Sequence, residues 1–230
     1  SNPVWYAVQA LPYIIEYPYE CTEQMFSRYY ANSIASYIVN SNQKIKKIFD
    51  LWQNLPNSNA LLSNLEKNQE LKSLMLQETP WVAEANNETE RKKRIGLLFD
   101  FNRMANEKGK IIKRLSEEQL PSGGWSWFKG MYESRYITTH LITGFAHLHA
   151  IKVLDVRKDT IVWNMIQKAI PYLDREIKKD YDDLLKYKVD MELNHLGYYQ
   201  IQYLYARSYF LDIDVSSSVK TAFDYYKKQS

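Results

Sequence analysis

Apolar residues recur along this chain at the three-to-four-residue spacing of helices. Phe26, Tyr30, Ile34, Tyr37 and Ile38 fall on one helical face, while Arg28, Asn32 and Ser36 fall on another. The same periodicity aligns Ile137, Leu141, Phe145 and Leu148, then Val162, Ile166, Ala169, Ile170 and Leu173, with Pro171 predicted to kink that third helix. Tyr199, Tyr203, Ala206 and Phe210 mark a fourth, and Val219, Ala222, Phe223 and Tyr226 a fifth. Between Ile45 and Gln119 the pattern is less regular, although the charged run Glu88 to Glu118 reads as helix. No stretch alternates as a strand does, so the predicted class is all-α.

Breaks between the periodic segments are short. Asn54 to Asn59 (NLPNSN), Thr79-Pro80 and Pro121 to Gly124 (PSGG) carry the turn chemistry. Helices joined by such turns predict antiparallel hairpins packed side by side. There is no fixed-period repeat. The whole of 1–230 reads as one helical domain with an irregular helical enlargement around 40–116.

Composition narrows the function only slightly. An apolar content of 45% over 230 residues supports a sizeable core. The 30 basic and 27 acidic residues are interspersed, as in DREIKKDYDD, which is the pattern of solvated helix faces rather than of a nucleic-acid footprint. No segment approaches the roughly 20 apolar residues that span a bilayer, and nothing near Ser1 reads as a signal peptide. No membrane insertion by this segment is expected, and the chain reads as an excerpt of a longer one. The 19 Tyr, 6 Trp and 8 Phe suit a core, a carbohydrate groove or a dry reactive pocket.

Cys21 is the only cysteine, which excludes an internal disulfide. It lies in YPYECTEQ, three residues before Gln24 and directly ahead of the first strong helix. That spacing brings two side chains together on one helical turn. A sulfur beside a carboxamide carbon can attack it and expel ammonia, leaving a thioester. Such an activated acyl group needs shielding from water, and Tyr17, Tyr19, Met25 and Phe26 are apolar cover close by in sequence. Taken alone, the pair reads first as a buried cysteine beside a helix-surface glutamine, and only the surrounding string changes that.

YPYECTEQ resembles the thioester motif of bacterial alpha-2-macroglobulins, where a Tyr-Pro-Tyr approach precedes Cys-x-Glu-Gln. LPSGGWSWFKG (Leu120 to Gly130), SRYITTHLITGFAHL (Ser134 to Leu148) and YYQIQYLYARSYF (Tyr198 to Phe210) are similar to further segments of that family's helical domain. Gln119, Gly123 and Trp125 also match the Gln-x-x-x-Gly-x-Trp pattern of terpene cyclases, which are built as toroids of α-hairpins. The resemblance implies an α/α toroid, complete or stopping before the ring closes. It implies a single-use covalent trap, in which Cys21 and Gln24 form the reactive bond and proteases are captured by a parent protein. Other domains of that same parent would be partners, the setting would be the periplasm or outer cell surface, and no cofactor would be needed.

Trp125 and Trp127, after the glycine turn, are expected beside the Cys21 end as part of the shield. Some members of the family place a histidine near the thioester, and His140 and His195 are the candidates for that acyl-transfer role. No metal site is expected: His140 and His147 lie two helical turns apart, about 10 Å by the helix rise. The competing readings are a toroid enzyme acting on a carbohydrate or isoprenoid, with Asp180, Asp182 and Asp183 approximating an acid motif, a cysteine hydrolase, and an interaction domain with an inactive thioester motif.

Overall fold

The computed structural model describes residues 21–41 and 107–230, and every regular element among them is an α-helix. Helix α1 is Thr22–Ser41, α2 covers 107–118, α3 is Arg135–Ala150, α4 Thr160–Lys186, α5 Tyr198–Ser208 and α6 Ser217–Gln229. The turn at Asn54 to Asn59, Thr79-Pro80 and most of the predicted enlargement lie outside the described residues. Of the run Glu88 to Glu118, the part from 107 to 118 is helical. No helix of the described residues is long and apolar enough to cross a membrane.

Two compact units divide the chain: Ser1–Pro18 with Ala31–Lys110, and Tyr19–Tyr30 with Ile111–Ser230. In the first, the described residues 31–41 and 107–110 are helical. The second holds the start of α1, most of α2, and all of α3 to α6. Here α3 packs against α4 and α5, and α4 also packs against α5 and α6. Two consecutive hairpins therefore lie side by side, α3 next to α5 and α4 next to α6.

Local chemistry explains the helix starts. The Ser134 hydroxyl caps α3 by accepting the Ile137 N–H at 3.3 Å, and the Asp159 carboxylate caps α4 by accepting those of Ile161 and Val162, both at 3.1 Å. Pro171 sits inside α4, which runs on through it. The ring removes only one amide donor, and apolar side chains on both sides of it hold the helix to the core: Met165, Ile166, Ala169, Ile170, Leu173 and Ile177 are all buried. On α3, Ile137, Leu141, Phe145 and Leu148 are fully buried, about 1.5–3 kcal/mol of transfer free energy for each large side chain.

Two apolar faces differ from the sequence pattern. In α1 the buried stripe is Thr22, Met25, Phe26 and Tyr29, continuing to Asn32 and Ser33, whereas Tyr37 is exposed. The stripe is displaced by about one residue because Tyr30 and Tyr37 are amphipathic and sit at an edge as readily as in a core. Of the predicted face of α5, Tyr203 and Ala206 are buried, Tyr199 is exposed, Phe210 is buried beyond the helix end at Ser208, and Arg207 is buried although the periodicity left it out. The reason is a polar partner. Arg207 Nε lies 3.2 Å from Asp174 of α4, which also accepts the Tyr203 hydroxyl at 2.7 Å, and the remaining guanidinium donors reach the carbonyls of Phe210 and Ile213. A buried charge is tolerated when it is paired and its donors are satisfied in this way.

Candidate functional site at the start of the first helix

Cys21 immediately precedes α1 and its carbonyl accepts the first intrahelical bond, from Met25 N–H at 3.0 Å. It is the N-cap residue. Its Sγ accepts the Gln24 backbone N–H at 3.5 Å, while the Gln24 side-chain Oε1 accepts the Cys21 N–H at 3.4 Å. This is the reciprocal arrangement of a capping box, with sulfur in the place usually held by a serine or threonine hydroxyl. A third helix-start donor, the Thr22 N–H, is satisfied from elsewhere by the Trp127 carbonyl at 2.9 Å.

The same geometry is suited to acyl chemistry. The sulfur and the carboxamide occupy one helix end, where the backbone dipoles favour developing negative charge. The Cys21 N–H is aimed at the carboxamide oxygen, the atom that would carry negative charge as sulfur adds to the carbon. The Glu23 carboxylate adjoins the sulfur: the thiol donates to Oε2 over 4.0 Å, and Oε1 accepts the Ser27 hydroxyl at 3.1 Å.

Shielding is uneven. Cys21 is buried, as are Thr22, Met25 and Phe26. Phe26 meets the rings of His140 and Phe145 edge to face, with centroids 5.6 and 5.0 Å apart. His140 in turn stacks on Tyr136, and Tyr136 on Trp127, at 6.3 and 5.6 Å. Phe26, His140, Tyr136 and Trp127 thus form a continuous row of rings. Trp127 reaches α1 through its carbonyl, and its side chain is 41% exposed on the outer end of that row.

The hydrogen bonds of Trp125 run to other helices. The residue is fully buried, donates Nε1–H to the Leu115 carbonyl at 2.8 Å, and has its own N–H bonded to Thr138 Oγ at 2.9 Å. It ties the turn to α2 and α3. Gln119 donates to the carbonyls of Gly123 and Met165, at 2.8 and 2.9 Å, tying the same turn to α4. Gly123 has φ +96°, and a Cβ there would lie 2.1 Å from the Lys168 carbonyl oxygen. The Gln-x-x-x-Gly-x-Trp pattern is therefore a structural clamp. Tyr17 and Tyr19 lie outside the described residues.

The two candidate histidines are placed differently. His140 is on α3 in contact with Phe26, and its buried Nε2 has no hydrogen-bond partner among the described residues. Burial pushes its pKa below the ordinary 6.5, partly opposed by the nearby Glu23 charge, so the ring is neutral at neutral pH. His195 sits before α5, with Nε2 on the Asp190 carbonyl at 2.8 Å and its N–H on Gln229 at 2.9 Å. Its partners belong to the α4–α5 connection and to α6, not to the Cys21 end. His147 bonds the Tyr205 hydroxyl at 2.8 Å, and no group of three His, Cys, Asp or Glu among the described residues could hold a metal ion. Asp180 is held by Arg135 and Gln200, each at 2.6 Å, and Asp182 by Lys178.

Comparison with protein-family models, with curated proteins and with solved structures gives no match for this chain. Two features of the site go beyond the Cys-x-x-Gln spacing. The capping box was legible, since Cys-Thr-Glu-Gln has the Ser/Thr-x-x-Glu/Gln spacing with a cysteine in the first place. The approach of Glu23 to the sulfur had no sequence signal of its own, and only its tether to Ser27 was legible, as a four-residue helical spacing.

Proposed function

We propose that this chain is a thioester-bearing helical domain of the alpha-2-macroglobulin type, a covalent protease-trapping module borne by a larger extracytoplasmic protein, with its hairpins forming part of an α/α toroid. The observation that carries this reading is the reciprocal contact of Cys21 and Gln24: the Gln24 N–H bonds the sulfur and the Cys21 N–H bonds the carboxamide oxygen. In the bond-forming step, Cys21 Sγ adds to Gln24 Cδ, the C–N bond breaks and ammonia leaves. In the trapping step a lysine amine or a hydroxyl of the captured protein attacks the same carbon, forming an amide or ester and returning Cys21 as a thiol. Each copy acts once, so this is not turnover. Of the two candidate histidines, His140 is favoured for an acyl relay by its contact with Phe26, three residues along α1 from Glu23, whereas His195 is bonded to Asp190 and Gln229.

A second reading is favoured by the same contacts: a capping box stabilises α1 with no covalent chemistry, in a domain that serves only in interactions. Intact mass before and after methylamine treatment separates the two. The trap predicts a mass lower by one ammonia, a thiol protected until methylamine is added, and methylamine incorporated at Gln24. A full-mass chain with a freely alkylated Cys21 and no incorporation leaves the capping box as the whole role of the pair.

A further inference from the structure

We propose that Glu23 is the proton acceptor and donor for closing the Cys21–Gln24 thioester, with Ser27 as the residue that positions it; this rests on the thioester reading above. Among the described residues Glu23 is the one carboxylate in contact with the sulfur, with the Cys21 thiol facing Oε2 over 4.0 Å. Its other oxygen is fixed by the Ser27 hydroxyl at 3.1 Å, one helical turn on. The carboxylate therefore has a defined face toward the sulfur and a tether on the opposite side. A general base must come within hydrogen-bond reach of the proton it takes; Glu23 Oε2 stands at 4.0 Å, the outer edge of a sulfur contact, and has only to close that gap as the thiol reacts, whereas His195 is bonded to Asp190 and Gln229.

The step balances without any further reactant. The thiol proton passes to Glu23 Oε2 as the Sγ electron pair forms the bond to Gln24 Cδ. The carbonyl electron pair moves onto Oε1, which the Cys21 N–H holds. As that pair returns, the Cδ–Nε2 bond breaks, and the proton on Glu23 passes to the departing nitrogen, which leaves as ammonia. Glu23 ends as it began, which makes it a shuttle. The same carboxylate beside a closed thioester would accept a proton from an incoming amine, so opening by methylamine should depend on it too.

The experiment uses the full chain. Ammonium opens the thioester to a free Cys21 thiol and an intact Gln24 carboxamide; after its removal, re-closure is followed by loss of the thiol and of one ammonia in mass. Glu23→Gln keeps the shape and the Ser27 contact but cannot take a proton, and re-closure is expected to slow on the order of a hundredfold. Glu23→Ala is expected to slow likewise and to be accelerated by added formate, a response that a purely structural role would not give. Ser27→Ala should slow re-closure less than either. Glu23→Gln re-closing at the native rate, or Glu23→Ala indifferent to formate while native chain re-closes, overturns the role of Glu23 and leaves the thioester standing. A native chain at full mass with a freely reactive thiol overturns both.

Discussion

The Phe26 ring lies so close to Gly144 that a Cβ on that glycine would sit 2.3 Å from Cε1 and 2.5 Å from Cζ of the ring. The start of α1 is thereby seated directly on the α3 backbone, and the glycine that breaks an otherwise apolar face of α3 is what allows it. Gly144→Ala gains up to about 1 kcal/mol of helix propensity. Overpacking costs about 1–3 kcal/mol. The ring cannot swing aside freely, because His140 and Phe145 bracket it. The steric term should win, with net destabilisation in denaturant unfolding and faster alkylation of Cys21 as α1 is lifted. An alanine variant as stable as the native chain would mean the ring has room to move.

Trp125→Phe tests the clamp. The substitution keeps an aromatic ring but strands the Leu115 carbonyl, which the indole N–H now satisfies at 2.8 Å in a fully buried setting. Leaving a buried acceptor unpaired costs about 1–3 kcal/mol. The loss should appear as a lower midpoint in denaturant at unchanged slope. Since the tryptophan is anchored to α2 and α3 rather than to the Cys21 end, methylamine incorporation at Gln24 should persist below the unfolding transition. A variant that is fully stable but loses incorporation would place Trp125 in the reactive site instead.

The helices were legible because their apolar spacing is that of a buried stripe, and each stripe on α3, α4 and α6 is where the periodicity put it. The clamp was legible as a motif, although its partners, Leu115 and Met165, belong to other helices that local patterning cannot assign. What periodicity missed were the polar residues buried by partners distant in sequence. Arg207 looks like a solvated helix residue until Asp174, on α4, is brought beside it. At the candidate site the spacing of Cys21 and Gln24 was visible, whereas the row from Phe26 through His140 and Tyr136 to Trp127 depends on how α1, α3 and the turn meet. The two histidines were equivalent in sequence and are not equivalent in space.

His140 predicts a pH dependence of stability. Burial lowers its pKa in the folded chain below the ordinary value of 6.5, with the Glu23 charge opposing the shift. As pH falls through that ordinary value, the unfolded chain binds the proton first, so this contribution to stability is present above it and is lost progressively toward the folded value. Unfolding measured from neutral to mildly acidic pH should therefore show a downward slope that His140→Phe reduces, since phenylalanine keeps a ring against Phe26 and carries no proton. Identical slopes in the two proteins would show that the imidazole is as easily protonated in the folded chain as in the unfolded one.

The final prediction separates the two uses of the Cys21–Gln24 contact. If the pair acts only as a capping box, Cys21→Ser should be neutral or stabilising, because a hydroxyl is a better acceptor than a thiol for the Gln24 N–H now 3.5 Å from sulfur. Cys21→Ala removes the cap and should cost about 0.5–2 kcal/mol. Gln24→Ala removes the reciprocal bond to the Cys21 N–H and should cost less, since that bond is long at 3.4 Å and correspondingly weak. If a thioester also bridges the pair, serine cannot replace cysteine so simply. The hydroxyl restores the hydrogen bond but not the covalent link, and Cys21→Ser should then lose stability relative to the native chain while keeping its advantage over Cys21→Ala. The order of stabilities in unfolding measurements, native above serine above alanine or serine at least equal to native, reports whether a covalent bond is present independently of any mass measurement. Methylamine treatment of the native chain should bring it down to the level of the serine variant in the first case and leave it unchanged in the second.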